Sequence, residues 1–239
     1  ETIKDELRFN EGAGFNKMWE RYPSFYRTEP LPPTQSVFDV EDAEIESIWD
    51  RLDAFQEPKH IWEVRINPLP PMLFGTGVIQ RLGERAKQLK IKKALFIAGP
   101  VMGRIGKTDE VRGILEKSGI ASVVFSEIVP DPPVEIIEKM AKLYQDEHCD
   151  GLIAMGGGSS LDAAKAAMIK VSQPGPLTEY EAAMGGGGKI RPPLPPCICI
   201  PTTSGTGSEV NPYSVITDRE RNVEFLIISN LIIPTLALI

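Results

Sequence analysis

The sequence predicts a doubly wound α/β fold with a mostly parallel sheet, and three observations predict it. From residue 61 onward, short β-rich runs alternate with helical patterns, the order that builds parallel βαβ units rather than an all-β or all-α fold. Gly156, Gly157 and Gly158 stand between an apolar run and an alanine-rich helical segment. A second turn, crowded with hydroxyls and glycines over residues 201–209, closes another apolar run.

Taken in order, residues 91–98 read as a strand, 108–118 as a helix and 121–125 as the next strand. Residues 133–146 form a helix, because Val134, Ile137, Met140, Ala141 and Tyr144 recur every three to four positions and so share one face. A strand over 150–155, a helix over 159–170 and a strand over 197–200 follow. In such a sheet ligands gather outside the carboxyl ends of the strands. Residues 232–239 read as an apolar, strand-like tail, expected to lie at an exposed edge unless something covers it. Gly185 to Gly188 precede Lys189 and a proline-rich run, and prolines there prevent the helix a phosphate cradle needs, so a mobile connector is expected.

Residues 1–60 read as an N-terminal extension, with proline-containing loops around Pro23 and Pro30 to Pro33 and one amphipathic helix over 39–55. Asp39 is its expected N-cap, and Val40, Ile45, Ile48, Trp49, Leu52 and Phe55 form its apolar stripe. The stripe packs either on its own domain or on a partner, which makes it a candidate docking or homo-oligomer surface. The ligand-binding α/β domain is expected over residues 61–239.

The net charge of −7 is concentrated at the front, where residues 1–60 hold fourteen acidic against seven basic side chains. The remainder carries nineteen of each, which leaves no basic footprint for nucleic acid. No apolar run approaches the roughly 20 residues that span a bilayer, and the charged start does not read as a secretory signal, so no membrane partner and a cytoplasmic location are expected. The chain does not open on Met, so trimming or processing at the front is expected. Cys149, Cys197 and Cys199 are odd in number and lack a Cys-x-x-Cys pattern, which points to buried thiols rather than disulfides or a zinc site.

The chemistry sits in the two turns. Gly156-Gly157-Gly158-Ser159-Ser160-Leu161-Asp162 joins a strand to a helix, where glycines admit a ligand close to the backbone and the first helical N–H groups present positive charge to a diphosphate. Ser159 is read as the helix cap or a phosphate donor, and Asp162 either as the partner of a capping box or as a contact to ligand. The run Pro201-Thr202-Thr203-Ser204-Gly205-Thr206-Gly207-Ser208-Glu209 offers hydroxyls to a sugar or base.

This pairing resembles the iron-containing (group III) alcohol dehydrogenase family. The resemblance runs from about Pro70, where Leu73-Phe74-Gly75-Thr76-Gly77 looks like the family's first strand and turn, through Pro130-Asp131-Pro132 to the last residues. It implies the family's Rossmann-like, dehydroquinate synthase-like nucleotide-binding domain and an oxidoreductase acting with NAD or NADP on a small alcohol or aldehyde. It implies that Gly157, Gly158 and Ser159 face the diphosphate, that Thr202, Thr203 and Thr206 line the adenosine and ribose, and that Tyr213 and Val215 lie near the nicotinamide ribose. The family's C-terminal helical domain, which holds Fe²⁺ or Zn²⁺ through an Asp and three His, lies beyond the matched segment. With only His60 and His148, metal is expected in the intact protein alone, no metal ligand or catalytic residue is assigned here, and the isolated chain is expected to be inactive.

Two positions depart from the family. Gly99 stands where many members have an Asp that binds the adenosine ribose, which favours NADP over NAD, with Arg104 or Lys107 as phosphate partners. Glu224 stands where a Lys is common, unless the hairpin around 219–222 is shifted by one residue. Two other readings remain compatible with these residues: a non-catalytic nucleotide-binding or assembly subunit, and a 3-dehydroquinate synthase-like lyase.

Overall fold

The computed structural model describes residues 62–64 and 69–239 of the chain. The chain divides into residues 1–57 and 58–239, and the fold below is that of the second unit. The helix expected over 39–55, with Asp39 and its apolar stripe, and His60 lie outside the described residues.

The described strands are β1 (Trp62–Val64), β2 (Met72–Phe74), β3 (Lys93–Ala98), β4 (Ala121–Phe125), β5 (Gly151–Gly156), β6 (Cys197–Pro201), β7 (Tyr213–Asp218), β8 (Val223–Ile228) and β9 (Leu236–Leu238). The helices are α1 (Leu82–Gln88), α2 (Pro100–Arg104), α3 (Lys107–Lys117), α4 (Val134–Asp146) and α5 (Gly158–Ser172). Among the described residues seven strands form one sheet in the order β1-β2-β9-β6-β5-β3-β4. Only β1 runs antiparallel to its neighbour; the other six are parallel. β7 and β8 form a separate antiparallel hairpin.

Successive side chains of a strand face opposite sides, and here both sides are covered. Leu95, Ile97, Leu152, Ala154, Cys197 and Cys199 pack in one layer with Ile137 and Met140 of α4 and Ala164 and Met168 of α5. Phe96, Ala98, Ile153, Met155, Ile198 and Ile200 pack in the other with Leu82 of α1 and Leu115 of α3. This two-sided burial is why the central strands read as unbroken apolar runs, and it makes the fold doubly wound as expected.

The apolar tail is not an edge. β9 lies inside the sheet, with Met72 and Leu73 paired to Ala237 and Leu238 on one side and Ile198 and Cys199 paired to Leu236 and Ala237 on the other. Its three residues are all buried, which explains the lack of alternation. The four-glycine run is likewise no free connector. It forms tight turns, Ala182–Met184 and Gly186–Lys189. A Cβ on Gly186 would collide with the Tyr180 backbone and one on Gly187 with the Ile228 carbonyl, so glycine lets three segments pack in contact.

All three thiols are free and buried. Burial pushes Cys149 up to about 11, and the hydrogen bond with Cys197 together with burial holds Cys199 well above its ordinary value. Because the thiolate is the nucleophile, iodoacetamide at pH 8 is expected to leave the native protein unmodified and to label three sites after unfolding, read by mass spectrometry. Rapid labelling of the folded chain would contradict the packing of β6.

The crossover from β3 leads to β4 on one side, whereas β5 sits on the other side of β3 and leads on to β6. Crossovers that depart in opposite directions open a crevice between the carboxyl ends of β3 and β5. Gly99 follows β3 there, and Gly157 follows β5.

Candidate functional site

β5 delivers the chain to Gly156, whose φ of 151° suits glycine, and Gly157 caps α5 in extended conformation. The N–H groups of Ser160 and Leu161 both donate to the Gly157 carbonyl, at 3.0 and 3.3 Å. Those of Gly158 and Ser159 precede any acceptor in the helix and stay available to an anion, reinforced by the helix dipole. No side chain caps α5, so neither the Ser159 cap nor the Asp162 capping box forms. Ser159 is already the second helical residue, too late to act as cap.

The second turn is bonded directly to the first. Beyond β6, the Thr202 N–H donates to the Gly156 carbonyl at 3.0 Å. A Cβ on Gly157 would stand 3.2 Å from Thr203 Oγ1, and one on Gly158 would stand 2.9 Å from Thr206 Cγ2. The glycines therefore let the threonine turn close over them, and a side chain at either position would push Thr203 or Thr206 aside, before any ligand is considered.

Asp162 joins α5 to the loop and the hairpin. Its carboxylate accepts from Ser208 Oγ and, at 3.1 Å, from the Val215 N–H, while its carbonyl accepts from Ser214 Oγ at 2.8 Å. One helical turn on, Lys165 is 0% exposed, with its Nζ 3.0 Å from Asp162 and donating to Asn211 Oδ1 at 3.0 Å. Asn211 in turn accepts from the Tyr213 N–H at 3.0 Å and donates to the Thr206 carbonyl at 3.3 Å. The roles of Lys165 and Asn211 escaped the sequence reading, and Ser208 entered it only within the hydroxyl-rich run; the i,i+3 spacing of Asp162 and Lys165 was a signal for Lys165 alone.

A cleft of about 460 Å³ opens above this network. Of the residues singled out from the sequence, Gly158, Ser159, Asp162, Thr206, Tyr213 and Val215 line it, joined by Asp131, which was noted only within its motif. Gly157 adjoins it through the turn, Thr202 and Thr203 are exposed beyond the end of β6, and Gly99 lies at the neighbouring strand end. Glu224 is exposed and pairs in regular register with Thr217, so the hairpin carries no shift within itself. A larger hollow of about 590 Å³ lies between α4 and the hairpin tip, with Glu135, Glu138, Asp218 and Arg221 in its wall. It touches neither glycine turn, and the first turn of α4 reaches its wall with the Glu135 carboxylate, which repels an anion.

A family model described as iron-containing alcohol dehydrogenase matches residues 70–239. The chain belongs to the iron-containing alcohol dehydrogenase family. It is 42% identical over 151 residues to choline dehydrogenase of Bacillus subtilis (strain 168), covering 63% of this chain and 37% of that protein. With the NAD-dependent methanol dehydrogenase of Bacillus methanolicus it shares 33% over 170 residues, covering 71% and 44%. Among solved structures, the sulfoacetaldehyde reductase from Bifidobacterium kashiwanohense in complex with NAD+ superposes with a TM-score of 0.66 at 27% identity, over 75% of this chain and 46% of that one. The chain thus spans less than half the length of these iron-containing alcohol dehydrogenase relatives.

The described residues do not fit a metal centre: they contain no group of three or more His, Cys, Asp or Glu able to hold one. His148 is exposed and closes α4 in left-handed conformation, its N–H donating to the Gln145 carbonyl at 3.0 Å. No described helix is long and apolar enough to cross a membrane.

Proposed function

We propose that residues 61–239 are the NAD(P)-binding domain of a metal-dependent dehydrogenase that moves hydride between a nicotinamide and a small alcohol or aldehyde, and that residues 1–60 are an extension to it. The observation that carries this reading is the bonded pair of turns at the switch point, which leaves the Gly158 and Ser159 N–H groups without helical acceptors above an open cleft. Those amides and the α5 dipole suit a diphosphate, while the Thr206 hydroxyl and Tyr213 suit a ribose and a planar ring. Bound there, the nicotinamide supplies the hydride acceptor. The chain's own residues bind and orient it, and no step of the chemistry is assigned to a side chain described here. A cytoplasmic location belongs to this reading and agrees with three free cysteines.

The test is alcohol oxidation by the full-length protein, with and without chelator, following reduced nicotinamide absorbance. Turnover that is abolished by chelation and restored by Fe²⁺ or Zn²⁺ supports the reading. Nucleotide binding with no turnover of any alcohol or aldehyde would favour an assembly role instead.

The expected cofactor preference is NADP. Around Gly99 an added Cβ meets nothing within 4 Å, so the position has room for a phosphorylated ribose. Pro100, the next residue, lines a hollow of about 460 Å³ that also includes Lys139 and Arg219. Lys139 bonds Glu127, and Lys107 bonds Glu110, which leaves Arg104 and Arg219 as the cations for a 2′-phosphate. NADPH is expected to bind about tenfold more tightly than NADH, and Gly99→Asp to reverse that order, because a carboxylate accepts from a ribose hydroxyl and repels a phosphate. Fluorescence titration of both cofactors reads the result. Clear preference of the unmodified chain for NADH would count against it.

A further inference from the structure

The cleft holds two carboxylates, Asp131 and Asp162, and no Lys or Arg lines it. A dinucleotide brings two negative charges in its diphosphate, so α5 alone must offset both ligand and carboxylates unless another cation is near. Lys165 is that cation. Its side chain is 0% exposed, in a helix otherwise flanked by Ala163, Ala164, Ala166 and Ala167, and an ammonium survives such burial only when its partners are fixed. Both partners belong to the site: Asp162 lines the cleft, and Asn211 holds the Thr206 carbonyl and the Tyr213 N–H.

Resting on the dinucleotide reading above, we propose that Lys165 is a positioning residue for the cofactor: its buried ammonium neutralises Asp162 beside the diphosphate seat and, through Asn211, fixes the turn that carries Thr206 and Tyr213. It touches no ligand itself. Its removal exposes the diphosphate to an uncompensated carboxylate and frees the turn together.

The test titrates the full chain and its variants with NADPH, following the reduced nicotinamide fluorescence, with a thermal melt of each protein. Lys165→Met is expected to weaken NADPH binding about tenfold. Adding Asp162→Asn to that variant is expected to recover about threefold of the loss, since it removes the stranded charge while keeping an acceptor for Ser208. A lysine that only supports the fold gives the opposite, a second substitution that weakens binding further. Unchanged affinity in Lys165→Met, or a double variant weaker than the single, overturns the proposal. Where Lys165→Met does not melt cooperatively, Asn211→Ala is read in its place: the charge pair stays, the turn loses its tie, and affinity is expected to fall about threefold, unchanged affinity again overturning the proposal. Failure of the unmodified chain to bind NADPH overturns the dinucleotide reading and this role with it, whereas tight binding indifferent to all three changes overturns the role of Lys165 alone.

Discussion

A Gly158→Val chain is expected to fold and to bind NADPH about a hundredfold more weakly than the unmodified protein, or not at all. The Cβ would stand 2.9 Å from Thr206 Cγ2, so Thr206 must rotate away, and the two methyls then occupy the approach to the Gly158 and Ser159 amides. Each charge-assisted bond from an amide to a phosphate contributes about 1.5–3 kcal/mol, so losing both costs at least the stated factor and at the upper end abolishes binding. The fold is expected to tolerate the change, because the residue is the first of α5, is only half-buried, and a β-branched side chain there costs well under about 1 kcal/mol. Calorimetry reads the affinity and a thermal melt the fold. An intact protein with unaltered affinity would move the diphosphate elsewhere.

The largest effect on stability is expected at the four-glycine run. Gly186→Ala and Gly187→Ala are each expected to cost about 3 kcal/mol, because a Cβ at either position collides with backbone rather than with a side chain that can turn aside. For a domain of this size that lowers the melting temperature by roughly 10 °C. Gly188→Ala is the internal control: its Cβ meets nothing within 4 Å, and stability is expected to stay within about 0.5 kcal/mol. Gly185 also faces open space but has a φ of 67°, so alanine there is expected to cost about 1 kcal/mol from backbone strain alone. Equal melting temperatures across the four variants would show that the run is loose after all.

Local patterns carried most of what was legible in the sequence. The stripe on α4 and the strand–glycine–helix turn at residues 156–158 declare themselves within a few residues, and the structure places both within a residue or two of expectation. The cleft's partnerships do not. Asp162 meets Ser208, and Lys165 meets Asn211, across 46 residues, and nothing in one sequence says which loop closes over which turn. The misjudged tail has a similar cause. Residues buried on both faces show no alternation, and periodicity reports how a strand is covered, never which strands stand beside it. The glycine run misled because permissive backbone serves tight packing as readily as looseness, and composition does not separate the two.

The central placement of β9 also governs when the molecule can assemble. Among the described strands β2 reaches the remainder of the sheet only by way of Leu236–Leu238, so β1 and β2 have nowhere to dock until residues 236–238 have left the ribosome. Until then an unpaired flank of β6 stays open to other chains, the sort of nascent intermediate that chaperones shield. Closure of that flank joins the two most distant parts of the described polypeptide, a slow step by its topology.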